Sequence, residues 1–177
     1  MFWFWGLCGV YGCQKGFCLK CDIKKFFPSI NHKVLKEKLS KIFSREIIWL
    51  LSVFIDSNGK DSGLPIGNQT SQWFAIVVLN DLDHYIKETL GCKHYVRYMD
   101  DLVIIHSSKL FLRKCLQEIS GIIKNLALTL NAKTKISKLS EGISFLGFKH
   151  IFLGSNVIST LGHSARARLK RGSKKIY

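Results

Sequence analysis

An α+β fold, an antiparallel sheet with helices packed on one face, is predicted by three observations. Strand-like and helix-like stretches follow one another in the order strand, helices, hairpin, helix, strand, which suits a sheet covered by helices. The adjacent acids Asp100 and Asp101 stand between two runs rich in β-branched and aromatic residues, Tyr95-Val96 before and Leu102 to Ile105 after. That pattern reads as strand, tight turn, strand. Finally, 47% of the 177 residues are hydrophobic, enough for one domain with its own core.

The elements follow in order. Residues 17–23 form an apolar strand running into Asp22. Residues 24–30, with Pro28, read as an irregular turn. Asn31 can cap a helix over 32–43 whose apolar positions are Val34, Leu35, Leu39 and Ile42. Ser44 can cap a second helix with Ile47, Ile48, Leu50, Leu51 and Phe54 on its apolar side. Residues 56–63 are polar and glycine-containing, hence a loop, and 63–68 continue it as a turn. A long helix is expected over 70–90, then the hairpin around Asp100, then an amphipathic helix over 109–126. Residues 128–130 and 136–139 read as short strands, and 144–148 with 150–152 as a second hairpin. The expected organisation is an apolar segment over 1–17, a domain over 18–153 and a basic stub over 154–177.

The charge is lopsided. Lys and Arg number 27 against 12 Asp and Glu, a formal net charge of +15. Solubility alone asks for a net charge of only about 2–8 in a small domain, so a polyanionic partner is indicated, with nucleic acid ahead of an acidic membrane surface. Residues 1–13 are strongly apolar but too short to span a bilayer, and they lack the positive start of a signal peptide. Six cysteines stand at 8, 13, 18, 21, 92 and 115. Only Cys18-x-x-Cys21 has zinc-ligand spacing, and no second such pair follows. The cysteines therefore read as reduced and structural, in a cytoplasmic protein with no membrane partner.

The chemistry rests on acids. Asp22 closes the first strand, and Asp100 and Asp101 sit at a hairpin tip. If those strands are neighbours, three carboxylates converge at one sheet edge. Adjacent carboxylates repel, and a divalent cation is the usual reason to hold them together. The plainer alternative for Asp100-Asp101 is a solvated turn, since Asp is a common turn residue.

Five blocks, in order, carry a resemblance. They are Cys21-Asp22-Ile23-Lys24-Lys25-Phe26-Phe27-Pro28-Ser29-Ile30, then Gly63-Leu64-Pro65-Ile66-Gly67-Asn68-Gln69-Thr70-Ser71-Gln72, then Tyr98-Met99-Asp100-Asp101, then Leu128 to Thr134, and lastly Phe145-Leu146-Gly147-Phe148. Together they span most of residues 18–150, and the chain resembles the palm of a reverse transcriptase. Group II intron and retroviral enzymes usually carry Gln and Pro where this chain has Ile66 and Gln72. In that respect it resembles enzymes of diversity-generating retroelements and related bacterial lineages, a group associated with low copying fidelity, which implies a bacterial or phage retroelement.

The resemblance implies a palm-type antiparallel sheet and an RNA-directed DNA polymerase. Such an enzyme adds deoxynucleotides to a primer 3′-OH by a two-metal mechanism with Mg²⁺, or Mn²⁺ in its place. The implied partners are an RNA template, a DNA or RNA primer and deoxynucleoside triphosphates. Asp22 and Asp100 match the family's principal metal ligands, and Asp101 matches the second acid of the hairpin, which would ligate a metal or tune the site; all three are the expected catalytic and metal-binding acids. Lys133 matches a lysine that neutralises or protonates the leaving pyrophosphate, with an ordinary surface lysine as the alternative. Ile23 would contribute its backbone carbonyl. Phe27 matches the bulky residue that crowds the sugar 2′ position, unless it is core, since Phe26 is adjacent and one of the two must pack inward. Pro65, Ile66 and Gly67 would form the wall against the incoming base pair, and Gln72 would touch the template or cap the long helix. Tyr98 and Met99 would lie beside the primer terminus. Phe145, Leu146, Gly147 and Phe148 resemble the primer-gripping hairpin.

The resemblance covers the palm, with counterparts of fingers and thumb largely missing from the sequence. A protein partner supplying them is one implication. A truncated, catalytically incompetent palm that binds nucleic acid or serves as a structural module is the alternative reading.

Overall fold

The computed structural model describes residues 16–65, 67, 69–153 and 156–162. The apolar start, most of the basic tail and Ile66 lie outside the described residues.

The sheet is built around its third strand in spatial order, β1 (Phe17–Asp22). It pairs antiparallel with β3 (Asp101–His106) on one side and β4 (Lys135–Lys138) on the other. The strand β2 (His94–Tyr98) completes the order β2-β3-β1-β4. Side chains alternate across a strand, and β1 uses both faces. Leu19 and Cys21 enter the main core with Leu102 and Ile104, whereas Cys18 joins Val103 and Ile105 in a second cluster. This alternation disposes of zinc binding by Cys18-x-x-Cys21, because residues three apart on a strand point to opposite faces. Burial instead pushes both thiols up to about 12, as expected of inert structural cysteines.

Helices cover the first face. Following α1 (Phe26–Ser29), they are α2 (His32–Leu39), α3 (Arg45–Ile55), α4 (Gln69–His84) and α5 (Lys109–Asn125). The core contains Leu35 and Leu39 from α2, Phe74, Val78, Leu79 and Leu82 from α4, and Leu112, Cys115, Ile119 and Ile123 from α5. The expected cap at Asn31 is present, its side chain accepting from Val34 N at 3.2 Å. Ser108 caps α5 in the same way through Phe111 N.

A small second sheet lies against the other face. Its strands are β5 (Ile143–Phe145), β6 (Phe148–Leu153) and β7 (Asn156–Leu161), in that spatial order. Ile143 and Phe145 bury themselves against Cys18, Val96, Val103 and Ile105 of the large sheet.

Several expectations are corrected. Residues 24–30 are not simply irregular, since Phe26–Ser29 make one helical turn entered through Lys25 in the left-handed region. Helix α2 stops at Leu39 instead of 43, and Ile42 and Phe43 beyond it are exposed. The apolar side foreseen for α3 exists but is largely uncovered. Of its residues only Ile55 is buried, and Ile47, Leu50 and Phe54 are exposed. The long helix ends in a π-helical turn, Tyr85–Thr89. The strand expected over 128–130 reduces to one bridge between Leu130 and Ile23. Strand β7 was not foreseen. It pairs along β6, so the boundary drawn after residue 153 cuts a hairpin.

Candidate active site

Asp22 and Asp101 are direct cross-strand partners at the end of the β1–β3 ladder. Alternation puts Asp22 on the same face as Cys18 and Lys20, away from the helices. Asp100 stands in the turn between β2 and β3, where Met99 adopts φ +52°. The turn is tied to β1 by a hydrogen bond from Ile23 N to the Asp100 carbonyl, 3.3 Å. Folding thus brings the three acids of two distant blocks to one sheet edge.

Each acid has its own surroundings. Asn131 grips Asp22 twice. Its backbone N donates to the Asp22 carbonyl and its Nδ2 to Oδ2, both at 2.7 Å. Asp101 forms an ion pair with Lys20, Nζ to Oδ1 3.1 Å, and the same ammonium donates to the Ser144 carbonyl at 3.0 Å. Lys20 therefore joins the acidic edge to the small sheet. Among the described residues no cation is paired with Asp100 in this way. Burial, followed by the charges of Asp22 and Asp101, raises its carboxyl above the usual value, against a backbone hydrogen bond and the Lys20 charge. Negative charge that Lys20 offsets only in part favours a further cation at this edge.

The donor set fits a hard divalent ion, for it consists of carboxylate oxygens. It is not a finished cage. Among the described residues no group of three or more His, Cys, Asp or Glu stands ready to hold a metal. Asn131 engages Oδ2 of Asp22, and Lys20 engages Oδ1 of Asp101.

Beside the acids runs an open cleft of about 730 Å³, lined by Lys20, Asp22, Asp101, Lys133, Lys135 and Lys149 among others. The mixture of a few acids and several lysines suits a polyphosphate or a nucleic-acid backbone near a cation. Lys133 is exposed on this wall, and its backbone N donates to Asn131 Oδ1 at 3.2 Å.

The remaining expected residues separate into groups. Ile23 has its side chain in the core, which leaves only its backbone near the acids. Phe26 is the member of its pair that packs inward, 2% exposed, while Phe27 is half-buried and meets it edge-on at 5.6 Å. Pro65 is half-buried, with its carbonyl accepting from Ser71 Oγ at 2.7 Å. Gly67 is exposed with φ +98°, and a Cβ there would meet nothing within 4 Å. Gln72 is exposed on α4, and Tyr98 is exposed at the end of β2. Phe145 is buried in the second core. Leu146, Gly147 and Phe148 form the exposed tip, with φ +51° at Leu146 and +82° at Gly147. Consecutive positive φ values are those of a tight hairpin turn whose twist matches its strands.

Asn131 and Lys20 were not singled out in the sequence. Lys20 had a signal, since it lies two residues before Asp22 and so shares its face. Asn131 lies within the fourth block, but only the closure of the Ile23–Leu130 bridge brings it to Asp22.

The sequence matches the family described as reverse transcriptase (RNA-dependent DNA polymerase) over residues 13–150. No curated protein matches it closely enough to count as a relative. Among solved structures, apo telomerase from Candida tropicalis, truncated from its C-terminal domain, is similar with a TM-score of 0.64 at 18% identity, over 82% of this chain and 35% of that one. Telomerase from Candida albicans in complex with a TWJ fragment of telomeric RNA gives 0.65 at 16% identity, over 82% and 30%. At such identities the likeness is one of fold. The chain spans about a third of the length of these telomerase chains.

Proposed function

The chain belongs to the reverse transcriptase (RNA-dependent DNA polymerase) family, and from that premise we propose that it extends a primer 3′-OH with deoxynucleotides under the direction of an RNA template. The observation that carries this reading is the register of Asp22 opposite Asp101, with Asp100 in the adjoining turn. Asp22 and Asp100, with Asp101 beside them, are the residues that would hold divalent cations, Mg²⁺ first and Mn²⁺ as a substitute. When bound, such ions stabilise charge on the attacking and leaving oxygens of a phosphoryl displacement.

The chain's own residues supply position. Asn131 fixes the Asp22 carboxylate from one side. Lys20 holds Asp101 and offsets part of the local negative charge. Lys133 lies on the same cleft wall and would neutralise a departing pyrophosphate. Phe27 at the margin of the core is offered as the sugar gate, and Pro65 with Ile66 and Gly67 as the wall against the base pair. Gln72 would meet the template. Tyr98 and Met99 would flank the primer end, and Leu146, Gly147 and Phe148 would support it. The pattern at Ile66 and Gln72 supports a role in a diversity-generating retroelement.

A second reading is a palm that binds nucleic acid without catalysing its extension. It is favoured by the engagement of Asp22 with Asn131 and of Asp101 with Lys20. The two readings part in a primer-extension assay on an RNA template, run with the unaltered chain and Asp100→Asn. Extension by the unaltered chain alone supports the polymerase. Extension that survives Asp100→Asn overturns the role of that acid, and none by either chain supports the second reading.

A further inference from the structure

The Asp100 turn has an internal brace that none of the five blocks contains. On β2, Tyr95 and Arg97 point to the helix side while Val96 enters the opposite cluster. Both reach Asp83 near the end of α4. Tyr95 Oη donates to Asp83 Oδ1 at 2.5 Å, and Arg97 Nε donates to the same oxygen at 2.7 Å. Arg97 Nη2 donates to Asp83 Oδ2, which makes the pair bidentate. The remaining nitrogen, Nη1, donates to the Met99 carbonyl at 3.0 Å. The Arg97 side chain is only 9% exposed.

We infer that Arg97, locked by Asp83, is the positioning residue that sets the Met99–Asp100 turn and through it the Asp100 carboxylate. Three features carry this. A guanidinium is a planar fork whose edges can serve two acceptors at fixed angles, which an ammonium cannot reproduce. Its anchor lies on a core helix, so the turn takes its position from α4. Met99 is a non-glycine residue at φ +52°, a conformation that costs free energy and persists only where neighbouring structure enforces it. The bond to its carbonyl is such an enforcement, placed one residue before the acid.

The inference rests on the polymerase reading for its rate comparison only. The test compares the full chain with Arg97→Lys and Tyr95→Phe, by amide hydrogen exchange over residues 98–101, thermal melting and primer extension. Lys at 97 can keep an ion pair with Asp83 but not the bidentate pair together with the Met99 bond. The expected result is a folded Arg97→Lys chain whose turn exchanges at least about tenfold faster while β1 is unchanged. Its kcat falls about 10- to 100-fold with KM for primer–template unchanged, as a small misplacement of a reacting group entails. Tyr95→Phe, which leaves the Met99 bond in place, lowers the melting temperature without altering turn exchange or kcat. Unchanged turn exchange in folded Arg97→Lys overturns the inference. So does an equal effect from Tyr95→Phe, or an Arg97→Lys chain that fails to fold, which would make Arg97 a residue of the fold alone. If the unaltered chain extends no primer, the polymerase reading fails, and turn exchange still decides the role of Arg97.

Discussion

Asp100 pays for its position in stability, and the sign can be worked out. Its folded pKa is raised, by burial first and then by Asp22 and Asp101. A raised carboxyl contributes stability that is fully present below the unfolded value, about 3.9, and is lost as pH rises through the folded value. Asp100→Asn removes that loss. Its melting temperature should equal that of the unaltered chain in acid and exceed it increasingly towards neutral pH. Melting curves over that range check this, and a variant that is less stable at neutral pH contradicts it. Asn131 makes the complementary case. Asn131→Ala should cost about 2–4 kcal/mol of stability, since it removes two side-chain hydrogen bonds, one of them to a carboxylate, and slow extension by freeing Asp22. Asn131→Asp should slow it further by setting a like charge against Asp22. Denaturant melts and single-turnover extension measure the two effects. At this scale the meeting of Asp22 with Asp101 was legible, because each stands at the end of a strand-like run. Asn131, Lys20 and the Arg97–Asp83 pair owe their roles to contacts across 109, 81 and 14 residues, which local pattern does not encode.

The elements were legible where burial enforces a period. Strand β1, the central hairpin and helix α5 came through because each has at least one face in a core. Strand β7 did not, since its side chains are mostly exposed and its alternation is weak. Its Val157, Ile158 and Thr160 were nonetheless a usable signal of strand propensity. Helix α3 shows the converse. An amphipathic pattern reports an apolar face, not what covers it, and among the described residues this face is largely open. Between α2 and α4 the chain folds back over α1 at Gly63, whose φ is +94° and whose added Cβ would stand 3.1 Å from the Pro28 carbonyl. There Gly63 N donates to the Ile30 carbonyl, and Gly63 O accepts from the buried His32 ring. Gly63→Ala should destabilise the protein by about 1–3 kcal/mol from conformational strain alone, whereas Gly67→Ala, with open space around it, should cost only its φ. A urea titration of the two variants ranks them, and equal midpoints would contradict the crowding at Gly63.

At the scale of the whole molecule, the α+β class and the helices on one face were readable from element order, and the second sheet on the opposite face only in part. No helix among the described residues is long and apolar enough to cross a membrane. The charge of +15 instead predicts binding to nucleic acid that weakens steeply with salt. Filter binding of an RNA–DNA primer–template over a salt series should give a linear fall of log affinity with log salt, and flat binding would contradict an electrostatic footprint. The central claim is that Asp22 and its partners across the ladder perform primer extension. Single-turnover extension on an RNA template by the full chain and by Asp22→Asn, with primer–template binding measured in parallel, tests it most directly. Asp22→Asn is expected to bind as the unaltered chain does but to extend about a hundred- to a thousandfold more slowly, the loss that removing one group central to transition-state stabilisation produces. Extension by Asp22→Asn at a rate near that of the unaltered chain would contradict it.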